Sequence, residues 1–236
     1  MSGDNLRNPE QELTLEITEA SLDFRKNPKD AVSTRTLTGS IDLIVTTLAM
    51  GLSLYALYWV GGIIQPQIYR VSFLLITLVL IFLIFPAHAR WQARITWSDW
   101  LLSSAAFVAL VWPIIDFDRF VYRAATPTNT DLTLGIITTL LVLEATRRTV
   151  GPILPVTAVF FLLYAYLGPF LELIGLELIA HRGYDIARLI GTLYMTLEGI
   201  FGVPLNVTAT FIILFTVFGA VLAHSGAGQF FITWTM

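Results

Sequence analysis

Residues 204–223 read PLNVTATFIILFTVFGAVLA, twenty residues without a charged side chain. As a helix that run rises about 30 Å, the thickness of the hydrocarbon core of a bilayer. The residues just before it, TLYMTLEGIFGV, place Glu198, Gly199 and Gly202 at or near membrane depth, and Pro204 then restarts the chain. Interrupted apolar segments of this kind mark binding sites in transporters. Glu198, Gly199, Gly202, Asn206 and Thr210 are therefore candidates for a junction or a polar cavity. With 56% hydrophobic and only 13% charged residues, the chain carries more apolar surface than one soluble core can hide. The fold class expected is an all-α integral membrane protein, with the lipid bilayer as its first partner.

The chain expected from the sequence has about six transmembrane helices, a polar N-terminal tail and an amphipathic interfacial segment. Residues 1–38 are polar, contain no apolar run resembling a signal peptide, and read as a cytoplasmic tail. Spans are predicted over about 39–63, 69–86 and 100–115. A fourth, over 132–143, is too short to cross unless its helix continues through Glu144, Ala145 and Thr146. Residues 116–131 read as a loop containing an interfacial helical turn. A fifth span covers 153–170, after the breaker pair Gly151 and Pro152. Residues 171–191 mix apolar side chains with Glu172, Glu177, His181, Arg182, Asp185 and Arg188, the pattern of a helix lying on the surface. The sixth span is 204–223.

Basic residues orient these spans. With the N-terminus inside, nine fall on the cytoplasmic side (Arg7, Arg25, Lys26, Lys29, Arg35, Arg90, Arg94, Arg147 and Arg148) and five outside (Arg70, Arg119, Arg123, Arg182 and Arg188). That asymmetry favours a cytoplasmic N-terminus.

The chemistry of an enzyme is not visible. The chain has no cysteine, so disulfides and thiolate sites are excluded. His88, His181 and His224 are separated by the topology, and neither a metal site nor a haem-binding span can be built from them. No catalytic residue, bound cofactor or nucleic-acid partner is expected. Glu144, Arg147 and Arg148 have helical i,i+3 and i,i+4 spacing, which a local salt bridge explains; subunit docking is the other reading. His181, Arg182 and Arg188 fit either a solvated interfacial face or a docking surface for an outside partner. Ala209, Thr216, Gly219, Ala220 and Ala223 form a small-residue seam that invites a neighbouring helix.

The runs LEATRRTVGPILP, FLLYAYLGP, HRGYDIARL, MTLEGIFGVP and ATFIILFTVFGAVLAHSGAGQFF occur in this order. Together they resemble the membrane component of tripartite ATP-independent periplasmic (TRAP) transporters, and more narrowly the TAXI type, in which small and large membrane subunits are fused. The likeness covers about 143–230. It implies a small-subunit-like region at 39–151, a linking helix at 152–170, and at 171–236 an interfacial segment with the first helix of the large-subunit-like region. It further implies a secondary transporter in the bacterial inner membrane, importing organic acids such as carboxylates from a periplasmic substrate-binding protein, with sodium as coupling ion. In that family the substrate and sodium sites lie in later hairpins of the large subunit. The chain alone is thus expected not to transport and to need the remainder of the large membrane subunit, as part of a longer reading frame or a split gene. Two other readings compete: a separate scaffold subunit that assembles with a large transport subunit, and a membrane enzyme or redox subunit.

Overall fold

Among the described residues every regular element is helical, as a backbone that must satisfy itself within a bilayer requires. The computed structural model describes residues 34–35, 37, 39–62, 64–88, 95–173 and 181–225, with the side chains of 171–173 left aside. The tail expected over 1–38 therefore lies almost wholly outside the described residues, as do Arg90, Trp91, Arg94, Glu177 and the stretch after Ser225.

Helix α1 (Ser40–Gly61) starts after Gly39, whose φ of 73° suits glycine. Helix α2 (Pro66–Ile84) opens with Pro at its first turn, where the missing N–H costs no bond. Helix α3 (Trp97–Ile115) is started by Asp99 accepting from the Thr96 N–H at 3.0 Å. The expected loop over 116–131 holds a short helix, α4 (Phe117–Tyr122), and a single 3₁₀ turn. Helix α5 (Asn129–Thr149) is capped by Thr128 and Asp131 and runs unbroken through Glu144, Ala145 and Thr146, the condition for a crossing. Helix α6 (Ile153–Leu173) follows Gly151, whose φ is 100°.

The C-terminal part is broken. Helix α7 (Ile186–Ile190) passes into a π-helical turn, Gly191–Met195. After a reversal come α8 (Val203–Val207), a second π turn (Thr208–Ile212) and α9 (Ile213–Ser225).

Five stretches are long and apolar enough to cross a membrane: α1, α2, α3, Ile153–Phe170, and Val203–Ser225 taken as one. Helix α5 matches them in length, with 21 residues, but carries Asp131, Glu144, Arg147 and Arg148 near its ends. It covers the stretch expected as the fourth span and is not among the five.

Helix α2 is the hub. Half of its span is buried, against 11% for α1 and for Ile153–Phe170 and 6% for Val203–Ser225. The main cluster joins Val71, Leu78 and Phe82 of α2, Ala106 and Leu110 of α3, and Leu141 and Ala145 of α5 to Ile190, Tyr194, Met195 and Phe201 of the broken segment. The described end of the segment expected to lie on the surface over 171–191 is extended at 181–185 and exposes Arg182, Tyr184, Asp185, Ile186 and Arg188, while Ile190 near its end is buried and Tyr194 just beyond is fully so. The physical reason lies in two glycines. At Gly135 a Cβ would sit 2.3 Å from the Ile190 side chain, and at Gly191 it would sit 2.8 Å from the Ala124 carbonyl, so their absence lets α7 press onto α5 and the preceding loop.

Candidate functional site

The broken segment is held by one face of α2. Gln67 donates Nε2–H to the Met195 carbonyl at 3.2 Å. Arg70 donates Nη1–H to the Phe201 carbonyl at 2.9 Å and Nε–H to Asn206 Oδ1 at 3.1 Å. The Tyr69 hydroxyl donates to the Ala209 carbonyl. Helix ends and turns leave carbonyls without a helical partner; Met195 ends a π turn, Phe201 lies in the reversal, and Ala209 lies within the second π turn. Three polar side chains in the first turn of α2, Gln67, Tyr69 and Arg70, supply donors to the broken segment. Tyr69 is itself fixed, stacked on Trp59 at 4.2 Å between ring centres with a 6° interplanar angle.

Glycine shapes the reversal. Ile200 N–H returns to the Leu193 carbonyl at 2.9 Å and Gly202 N–H to that of Gly199 at 3.0 Å. A Cβ on Gly199 would come within 2.4 Å of Leu193 Cα, and one on Gly202 within 2.8 Å of the Gly199 oxygen. Tyr194 anchors the near side: its hydroxyl donates to the Ala109 carbonyl of α3, and its ring meets Phe120 edge-on at 5.3 Å.

A second polar centre closes the opposite end of the bundle. Asp99 accepts from Arg35 Nη2 at 2.8 Å and from Arg148 Nη1 at 2.7 Å, and both guanidinium side chains are 1% exposed. Arg35 also donates to the Leu83 carbonyl, and Arg148 to the Phe85 carbonyl, each at 3.1 Å. Two cations thus cap the C-terminus of α2, where the helix dipole favours positive charge. Glu144 binds Arg147 at 2.7 Å and Arg148 at 2.8 Å. At the other end Arg123 bridges Asp131 at 3.1 Å and Asp116 at 2.8 Å. Hydrogen bonds to Asp131 and then to Asp116 hold the Arg123 guanidinium above its ordinary pKa.

The sequence candidates separate under this geometry. Gly199 and Gly202 permit the turn, Asn206 is an acceptor for Arg70, and Thr210 donates back to the Asn206 carbonyl at 2.7 Å. Glu198 is exposed in the turn rather than drawn into the cluster. The local salt bridge of Glu144, Arg147 and Arg148 is present, but Arg148 reaches beyond it to Asp99. His181, Arg182 and Arg188 line one cleft with Tyr164 and Tyr184. In the small-residue seam Ala209 is buried, while Thr216, Gly219, Ala220 and Ala223 are exposed. No group of three His, Asp or Glu side chains suited to a metal occurs among the described residues.

Sequence reasoning passed over Gln67, Tyr69, Arg35 and Asp99. The Thr96–Asp99 spacing announces a helix cap, yet nothing local tells that Asp99 also receives two arginines.

These features define a multi-pass helical membrane protein whose broken C-terminal segment is docked on a polar helix face. Residues 137–236, beginning inside α5, match the family model described as tripartite ATP-independent periplasmic transporter, DctM component. The match covers under half of the chain and includes the broken segment and α9. No curated protein and no solved structure matches the chain.

Proposed function

We propose that this chain forms the scaffold and junction of a TRAP transporter permease of the TAXI type, with small- and large-subunit-like regions fused. The observation that carries the reading is the family match over 137–236. The mode of docking supports it, since the matched segment is gripped by Gln67, Tyr69 and Arg70, which precede the match. A scaffold that positions a transport subunit needs such side-chain contacts, because apolar attraction between helices is weak in lipid.

In this reading the complete permease imports organic acids handed over by a periplasmic binding protein, coupled to sodium, across the bacterial inner membrane. The N-terminus is cytoplasmic, and Arg35, Arg147 and Arg148 lie at the inner interface. The substrate and sodium sites belong to further parts of the large subunit. Glu144, Arg147 and Arg148 serve the bundle, and Glu198 shapes the junction.

The test is uptake by the complete permease in proteoliposomes with its binding protein. Accumulation of an organic acid only under an inward sodium gradient is expected. Uptake that persists without sodium or without the binding protein refutes the assignment.

A further inference from the structure

The cleft beside α6 is not used by the junction. Its construction starts from Pro169. Proline has no N–H, so the carbonyl of Ala165, four residues earlier, loses its helical donor. Tyr184 N–H fills the vacancy at 3.0 Å and fastens the extended 181–185 segment along α6. Gly168 makes room for the strap, since a Cβ there would meet His181 at 2.4 Å. Gly183 adopts φ +71° where a Cβ would strike Pro169 at 2.4 Å. His181 Nδ1 accepts from the Gly183 N–H at 3.0 Å, which leaves Nε2–H to donate to the Tyr164 carbonyl, also at 3.0 Å. Both ring nitrogens of His181 are thus engaged, and Arg182 and Arg188 are the cleft's guanidinium groups.

Both arginines are exposed, and neither has an ion-pair partner among the described residues. Arg188 lies over the Tyr184 ring at 5.2 Å, a contact that orients it without neutralising it. No carboxylate lines the cleft among the described residues, and it encloses about 710 Å³. Its floor at Ala165 is five residues, about 8 Å along the helix axis, short of Phe170 at the end of the apolar span. On α6, beside the face that meets the strap, Phe161, Leu163, Leu167 and Phe170 are exposed apolar side chains. Two exposed guanidinium groups without an ion-pair partner among the described residues, beside an apolar helix, suit an anion. An anion that arrives with its own apolar chains satisfies both surfaces at once.

We propose that the Arg182–Arg188 cleft binds the phosphate of an anionic phospholipid, with the acyl chains against α6. Placement in the outer leaflet rests on the orientation proposed above; the headgroup site does not.

The test titrates the detergent-purified chain with short-chain phosphatidylglycerol, phosphatidylcholine of equal chain length, and inorganic phosphate, counting adducts by native mass spectrometry. One phosphatidylglycerol adduct is expected, at least tenfold tighter than phosphatidylcholine. Arg182→Gln with Arg188→Gln should weaken it tenfold or more, while Arg182→Lys with Arg188→Lys retains most of it; circular dichroism verifies the helical fold of each variant. Equal binding by wild type and the Gln variant overturns the proposal. Arginine-dependent binding of inorganic phosphate as tight as that of the lipid makes this a free-anion site and overturns the lipid assignment. Displacement of the lipid by an equimolar acidic peptide assigns the cleft to protein docking and does the same.

Discussion

Exchanging Asp99 for Asn keeps the side chain's shape and one acceptor oxygen but removes the charge that two guanidiniums share. Arg35 and Arg148 are 1% exposed, so neither turns to water. Arg148 keeps Glu144 at 2.8 Å. Arg35 keeps only the Leu83 carbonyl, and its Nε already lacks a partner. Breaking a buried ion pair by removing one member costs about 3–5 kcal/mol. Because Arg148 retains an anion, the lower end applies, about 3 kcal/mol, on the order of a hundredfold in the folded-to-unfolded ratio.

For a domain of this size that corresponds to a fall in Tm of roughly 6–12 °C. Glu144→Gln is the control. Its carboxylate is 26% exposed and its partner Arg147 41% exposed, so solvent screening limits the loss to about 1 kcal/mol or less. Thermal unfolding in detergent, followed by far-ultraviolet circular dichroism, compares the two. Adding Arg35→Met to Asp99→Asn should recover part of the loss, since the stranded cation is then gone. Equal Tm shifts for Asp99→Asn and Glu144→Gln, or a double variant that sums the two single losses, would refute the reasoning.

Tyr69→Phe strands the Ala209 carbonyl at a cost of about 1–3 kcal/mol; hydrogen exchange should rise in 203–212 and leave the α3–α5 contact unchanged. Gly199→Ala brings a methyl group against the Leu193 backbone, so the reversal must open by about 1–3 kcal/mol, read as faster proteolysis at 196–202 in detergent. The absence of native cysteine makes orientation directly testable. In intact cells Thr126→Cys should react with an impermeant maleimide from the periplasm, and Val150→Cys only after lysis; the reverse pattern inverts the topology.

The helices were legible because their signals are local. Charge-free runs and the Gly151–Pro152 break each act within a few residues, and the helices lie where they point. What could not be read was which polar side chain answers which backbone group. Arg35 and Asp99 are 64 positions apart, and Gln67 and Met195 are 128 apart; one sequence contains no term linking such positions. The burial at the end of 171–191 has the same origin. That segment's charges at His181, Arg182 and Arg188 announced an interface, and they do line a surface cleft. The burial of Ile190 depends on glycines at Gly135 and Gly191, whose missing side chains leave no mark in an apolar pattern.

Helix α2 gives these contacts a common cause. A helix in lipid must have its terminal carbonyls satisfied, and α2 receives Arg35 and Arg148 at its C-terminal end while offering Gln67, Tyr69 and Arg70 at its N-terminal end. The first set ties α2 to the α3 and α5 ends through Asp99 and Glu144. The second ties it to the broken segment through carbonyls that an unbroken helix would have used itself. The breaks at Gly191–Met195 and Thr208–Ile212 are therefore attachment points: each frees a carbonyl close to a donor already fixed in the scaffold. If the segment moved away from α2, these donors would be left unpaired in lipid. Their cost of separation, about 1–3 kcal/mol for each buried bond, favours a segment that stays with α2 through Ala209, so that any movement begins beyond the second π turn.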